Sequence, residues 1–219
     1  MINCLQNSDK SWCHAKEDLV KELNMFYEKL FTTSNPTRFD EVLNEIPGTV
    51  TRQMSDQITR PFNKEEIRQD FFFMNPNKAP GPVSMSSLFF KQFWHIVGRD
   101  ITLAIQSFFH SGFMLSYLNE TIISLIPKVD IPTNLSQYRP IALCNVIYKA
   151  ITKLLANRLK PFLNYCISDN QSAFLAGRQI LDNVIVIHEC LHFLKNKRQG
   201  KKIVMALKLD MAKAYDRVE

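Results

Sequence analysis

Apolar residues recur at helical spacing through most of this 219-residue chain and at strand spacing in only a few places. Leu19, Leu23, Phe26 and Leu30 predict an amphipathic helix over Ala15–Phe31, which Thr32-Thr-Ser-Asn-Pro36 breaks. Phe39–Ile46 predicts a second, short helix before Pro47-Gly48. Asn63 with Glu66 reads as a capping-box start for a helix over Lys64–Met74. The run Asn75-Pro-Asn-Lys78-Ala-Pro80-Gly81-Pro82 then forces a rigid loop. A helix over Ser86–Val97 is expected to bury Phe89, Phe90, Phe93, Trp94 and Val97. Asp100 is expected to cap another, with Ile101, Ile105 and Phe108 on one face and Gly112 as its stop.

Thr121–Ile126 reads as a strand, which Pro127-Lys128 ends, and Arg139–Leu143 as a second short extended run. Asn145 is placed to cap a helix over Val146–Leu159, with Ile147, Ile151, Leu154 and Leu155 as its apolar stripe. Ser168 with Gln171 reads as a further capping box, and Gly177-Arg178 as a break. Ile180, Val184, Ile187, Leu191 and Leu194 give four turns of helical periodicity. A strand is expected over Ile203–Asp210, with Ile203, Met205, Leu207 and Leu209 on one face and Val204, Ala206, Lys208 and Asp210 on the other. The elements describe an α+β, helix-rich protein without internal repeats.

Composition adds bounds. At 46% hydrophobic and 22% charged residues, the chain has enough apolar content for a core. No apolar run reaches the roughly 18 residues of a membrane-spanning helix. Residues 1–19 carry no apolar signal core, so an intracellular location, nucleus or cytoplasm, is expected, with no membrane partner. Five scattered cysteines without CxxC spacing argue for reduced thiols rather than a disulfide framework or zinc site. His188 and His192 stand i,i+4 but have no third ligand nearby in sequence. The net charge of +6 is compatible with nucleic acid. Its basic residues cluster at Lys195, Lys197, Arg198, Lys201 and Lys202, and at Lys149, Lys153, Arg158 and Lys160. The second cluster has two readings, a template groove or a solvated helix face.

The clearest candidate for chemistry is Asp210. A carboxylate delivered by a strand end is a common way to hold a hard cation, but taken alone it is more often the cap of a turn or helix. Six segments decide how it is read. They are Asn77-Lys78-Ala79-Pro80-Gly81-Pro82, Leu125-Ile126-Pro127-Lys128, Tyr138-Arg139-Pro140-Ile141-Ala142-Leu143, Leu155-Ala156-Asn157-Arg158-Leu159, Gln171-Ser172-Ala173-Phe174 with Gly177-Arg178, and Leu209-Asp210-Met211-Ala212-Lys213-Ala214-Tyr215-Asp216. In this order they closely resemble the reverse transcriptase of LINE-type (non-LTR) retrotransposons, most like the plant versions. The resemblance covers residues 63–219 well and residues 1–62 loosely. It implies a helical lead-in over 1–62 and, over 63–219, a partial right-hand polymerase comprising the fingers and the first palm strand. It implies RNA template, DNA primer and dNTPs as partners and Mg²⁺ as cofactor of the complete enzyme. The oligomeric state is left open.

The same resemblance assigns roles. Asp210 matches the first-strand metal ligand and catalytic carboxylate, with the backbone carbonyl of Met211 facing the metal. Polymerisation is attack of a primer hydroxyl on a nucleotide phosphate, with two Mg²⁺ ions about 4 Å apart stabilising the attacking and leaving oxygens. Tyr215 matches the aromatic under the incoming sugar, where a ring favours dNTP over rNTP. Arg139 matches a fingers arginine on the triphosphate, which a guanidinium fork suits. Lys128 is assigned to phosphate or template backbone, and Gln171 and Arg178 to a motif near template and nucleotide.

Two departures stand out. Either Val83 and Ser84 occupy the positions of Asp and Gly in the family's Lys-Ala-Pro-Gly-Pro-Asp-Gly loop, or a short deletion has removed that pair; Ser resists the positive φ that Gly allows. The family's later Asp-Asp motif has no counterpart, since these 219 residues contain no Asp-Asp pair. One carboxylate in place of three predicts a truncated domain inactive by itself. The alternatives are a non-catalytic nucleic-acid-binding module and a non-functional retroelement remnant.

Overall fold

A computed structural model describes residues 4–7, 9, 11–37, 39–46, 48–173, 175–197 and 204–210. The chain divides into two compact units, one of residues 1–34 and 57–158, the other of residues 35–56 and 159–219.

The first unit opens with β1 (Leu5–Gln6) and β2 (Trp12–Cys13), an antiparallel pair, followed by α1 (Lys16–Phe31). Acidic Glu17 and Asp18 in the first turn of α1 and Lys29 in its last complement the helix dipole. After α2 (Phe39–Leu43) comes α3 (Arg52–Thr59), which the sequence pattern did not announce. Its start is set by the Thr51 hydroxyl, which accepts the Met54 N–H at 3.2 Å. Next is α4 (Lys64–Phe73), whose cap Asn63 accepts the Glu66 N–H at 2.8 Å as its sequence predicts.

The expected single helix over Ser86–Val97 is two. Phe93 interrupts it with ψ 19°, leaving α5 (Ser87–Gln92) and α6 (Trp94–Ser111). The break brings both Phe90 and Trp94 to Phe71, at ring distances of 5.8 and 5.2 Å, while Phe89 and Phe93 stay partly exposed. Asp100 therefore lies inside α6, exposed, and caps nothing. Gly112 ends α6 at φ 71° as expected.

After α7 (Ser116–Asn119), β3 (Thr121–Pro127) and β4 (Tyr138–Cys144) pair antiparallel, with Thr121 opposite Cys144 and Pro127 opposite Tyr138. Then α8 (Val146–Leu159) returns over the core. Its buried residues Val146, Ala150, Ile151 and Leu154 meet Ile67 and Phe71 of α4, Ile101 and Ile105 of α6, Phe62 and Phe90. A second cluster joins Leu5, Leu19, Leu135 and Tyr138, with Leu23, Phe26 and Leu125 packed against it. The face of the hairpin that carries Leu125 and Tyr138 is thus anchored to α1. The alternate face, with Ile122, Ile126, Arg139 and Ile141, is exposed.

The second unit contains α2, the 3-10 turn Lys160–Phe162, α9 (Leu163–Cys166) and α10 (Ile180–Asn196). The Ser168–Gln171 capping box does not form. The Gln171 N–H instead meets the Ser168 carbonyl at 3.0 Å in a turn, and the helix starts at Ile180. None of α10's residues is buried. Residues 204–210 carry no regular secondary structure and are exposed, so the strand expected over Ile203–Asp210 is absent from its described part. Alternation supplies side chains for two faces, but a strand also requires a hydrogen-bonded neighbour, and no described strand pairs with this segment. Among the described residues no helix is long and apolar enough to cross a membrane.

Candidate nucleic-acid and nucleotide interface

Most of the residues that sequence patterning brought forward lie in two places, the loop and hairpin of the first unit and the turn before α10 in the second. The loop is fixed by Asn145, at the junction of β4 and α8. Asn145 is 2% exposed and is not a simple helix cap. Its Oδ1 accepts the Val83 N–H at 3.0 Å, and its Nδ2 donates to the carbonyls of Tyr117, Leu118 and Glu120 at 3.0–3.3 Å. One buried amide thus ties the Pro-Gly-Pro loop to the segment leading into β3.

Gly81 approaches this junction so closely that a Cβ would fall 2.4 Å from the Asn145 nitrogen and 2.5 Å from the Cys144 carbonyl carbon. Only glycine fits there. Lys149 Nζ donates to the Ala79 carbonyl at 2.8 Å. The Ser87 hydroxyl donates to the Asn75 carbonyl at 2.9 Å, and Lys91 Nζ donates to that of Met74. Ser84 holds φ 61°, a left-handed conformation that costs a non-glycine residue about 1–2 kcal/mol. The loop keeps the shape that glycine would adopt freely. Val83 contributes its backbone N–H rather than its side chain.

Arg158 belongs to neither a groove nor a solvated face. It is 7% exposed, and its Nε and Nη2 donate to the Glu66 carboxylate at 2.8 and 2.9 Å. Its Nη1 donates to the Ile58 carbonyl at 3.0 Å and to that of Arg60, and Nη2 to that of Pro61 at 3.2 Å. The guanidinium carbon lies 3.3 Å from the centroid of the Phe62 ring. Fork geometry, always-on charge and a flat face let one arginine close the turn between α3 and α4. Hydrogen bonding to Arg158 holds the Glu66 carboxyl below its ordinary range. One turn later Asp70 shifts the other way, because burial opposes its charge more than its bond from Asn157 at 2.6 Å favours it. Arg158 is therefore structural, a correction to the groove or solvated-face reading at that residue, while half-buried Lys149 gives the loop one bond.

On the hairpin, Arg139 sits opposite Ile126 on the exposed face. Among the described residues it makes no hydrogen bond or ion pair, and it is available to an anion. Lys128 follows β3. Its backbone N–H meets the Gln137 carbonyl at 2.8 Å and its Nζ donates to the Ser136 carbonyl at 3.1 Å.

In the second unit, Arg178 Nη1 donates to the carbonyls of Ser168 and Gln171 at 2.6 and 2.7 Å, and Nη2 to Asp169 at 3.2 Å. These bonds bring Gln171 and Arg178 into one loop, where Arg178 acts as its internal tie. Gln171 Nε2 donates to the Ala173 carbonyl at 3.3 Å. His188, Glu189 and His192 line a depression of about 520 Å³ on α10, where Asn196 Nδ2 lies 2.9 Å from His192 Nε2.

Asp210 is exposed. Met211 and Tyr215 lie outside the described residues. Among the described residues no three His, Cys, Asp or Glu side chains converge on a point that would hold a metal ion. Mg²⁺ keeps several waters and takes only one or two carboxylates, and exposed Asp210 offers one such oxygen donor.

The geometry is that of an anchored hairpin and a locked loop presenting a cation. Comparison with known proteins gives it a class. Residues 126–219 match the family model described as Reverse transcriptase (RNA-dependent DNA polymerase). That span begins inside β3 and runs through the hairpin, α8 and Asp210, and the chain carries reverse transcriptase domain sequence. Over 220 aligned residues the chain is 30% identical to the "Transposon TX1 uncharacterized 149 kDa protein" of Xenopus laevis, with all of this chain covered. It spans 16% of that protein's length. Both similarities, to a reverse transcriptase model and to a transposon protein, agree with the expected resemblance to a retrotransposon reverse transcriptase.

Proposed function

We propose that this chain supplies the fingers and the first catalytic carboxylate of an RNA-directed DNA polymerase of a LINE-type retrotransposon. Residues 63–219 form the polymerase portion and residues 1–62 its helical lead-in. RNA template, DNA primer and dNTPs are its partners, in the nucleus or cytoplasm, and its motifs resemble the plant versions most. The observation that carries the reading is Arg139, an exposed guanidinium without a partner among the described residues, on a hairpin whose other face is fixed by α1. Arg139 donates to the triphosphate of the incoming nucleotide. Lys128 adds positive charge at the same end of the hairpin. Gln171 and Arg178 shape the loop beside the template.

Asp210 would be the first metal ligand, joined by the Met211 carbonyl, and Tyr215 would select the deoxy sugar. Mg²⁺ bound there would supply positive charge for displacement at phosphorus. Within these 219 residues Asp210 lacks the adjacent carboxylate pair that would complete such a site.

Two measurements test this. Primer extension by the 219-residue chain, with Mg²⁺, dNTPs and primed RNA, is expected to stay at the level of an Asp210→Ala control. Incorporation above that control would sink the claim of inactivity. Fluorescence titration of dNTP into the complex with primed RNA is expected to weaken about tenfold or more in Arg139→Ala, the loss of a charge-assisted bond. Equal dNTP affinity for Arg139→Ala and the unaltered chain contradicts the assignment. Salt-dependent RNA binding with no dNTP binding would favour a non-catalytic nucleic-acid-binding module.

A further inference from the structure

The last turn of α4 presents a feature that neither the core nor the hairpin uses. Phe73 is 78% exposed and Phe72 39% exposed, at the end of a helix whose neighbour Phe71 is fully buried. Phe72 is not loose, for its ring meets Trp94 edge-on at 5.5 Å and 81°. The Arg68 guanidinium carbon lies 5.1 Å from the centroid of the same ring. Arg68, Gln69, Phe72 and Phe73 together line a shallow depression of about 210 Å³. The nearest carboxylate is Glu65, which accepts from Arg68 at 3.5 Å and from Gln69 at 3.2 Å. That pair is exposed on both sides, and such pairs hold their partners weakly.

We infer that this depression is a stacking site for one unpaired base of the single-stranded RNA template. The inference rests on the nucleic-acid reading above and adds a contact outside the hairpin. An exposed aromatic beside a guanidinium is the pairing that single-strand binders use. The ring and the guanidinium plane offer flat faces to any base, and the positive charge meets the phosphate that follows. Gln69 places an amide at the rim, within reach of a base edge. The net charge of +6 favours a polyanion over an acidic-residue-poor apolar peptide as the occupant.

The probe is a short RNA carrying 2-aminopurine, whose emission falls when the base stacks. The unaltered chain is expected to bind it and quench it. Phe73→Ala is expected to lose most of the quenching and about tenfold in affinity, with the salt dependence unchanged, since no phosphate contact is removed. Phe73→Trp is expected to restore both. Phe73 is exposed, so these variants leave the core intact, which a melting curve checks. The same oligonucleotide as DNA reports whether the site prefers RNA.

Binding and quenching by Phe73→Ala equal to those of the unaltered chain would overturn the stacking site while leaving the nucleic-acid reading in place. Absence of RNA binding by the unaltered chain at low salt would overturn both. A Phe73→Ala variant that changes sedimentation but not RNA affinity would assign the patch to contact between copies of the chain, and overturn the inference.

Discussion

Helices α8 and α10 are both rich in apolar residues at helical spacing, yet they end differently. On α8, Val146, Ala150, Ile151 and Leu154 are all at most 5% exposed. On α10, Val184, Ile187 and Leu191 are each more than half exposed. The cover for α8 comes from α4 and α6, which precede it within the same unit. The apolar segment that follows α10, residues 204–209, is itself exposed and unpaired. Periodicity therefore tells which face of a helix can be buried, and contact tells whether it is. The same contrast separates the candidate residues. Arg139 stands on a hairpin held from behind by Leu125 and Tyr138, whereas Asp210 stands on a segment that pairs with no strand among the described residues.

The contrast can be broken most sharply at Arg158. Removing its side chain leaves Glu66 and the carbonyls of Ile58, Arg60 and Pro61 without their donor. Arg158→Ala is expected to cost about 3–5 kcal/mol in urea unfolding. A cost under about 1 kcal/mol would show that the clamp is not holding the turn. The pH dependence follows from the same bond. Glu66 has its pKa lowered in the folded chain, so its pairing stabilises fully above the unfolded carboxylate value of about 4.3 and is lost as pH falls through the folded value. Asp70 runs oppositely. Its pKa is raised, so stability drops as pH climbs from about 3.9 through its folded value. Melting followed from pH 6 downward is expected to lose its Glu66 component in Arg158→Ala.

Next in size is a matched pair of truncations. Leu154→Ala, at a site 1% exposed, is expected to cost about 2–5 kcal/mol. Leu191→Ala, at a site 53% exposed, is expected to stay within about 0.5 kcal/mol. Equal costs would erase the distinction between the two helices. The smallest effect is expected at Ser84, where glycine relieves the left-handed strain. Ser84→Gly should raise stability by up to about 1 kcal/mol, and a loss of stability would show that its side chain is needed in the loop.

Much of this was legible in the sequence. The Asn63 cap, the Gly112 stop, both hairpin strands and the span of α8 follow from local rules that contact does not override. The break at Phe93 was not legible, because it arises from two rings reaching for Phe71. Asn145 reads as a helix cap from its place before α8. Only the folded chain shows its amide reaching Val83, Tyr117, Leu118 and Glu120. Arg158 sits in a family-like motif and reads as a surface cation, since nothing local announces that Glu66, 92 residues earlier, waits for it. The missing strand at residues 204–210 is the converse case, a correct side-chain pattern without a pairing partner. The sequence alone did not sort the candidate cations by what their side chains touch. Sorting required knowing that Lys149 and Arg178 spend their donors on backbone carbonyls while Arg139 does not.

Residues 57–158 hold a buried core, whereas α10 and residues 204–210 are left uncovered by the described residues. Amide hydrogen exchange read segment by segment tests this most directly, because protection reports local opening. The account predicts the slowest exchange in α4, α6 and α8, intermediate exchange in the β3–β4 hairpin, and exchange near the unstructured rate in residues 204–210, with α10 much faster than α8. Protection of α10 and residues 204–210 equal to that of α8 would contradict it.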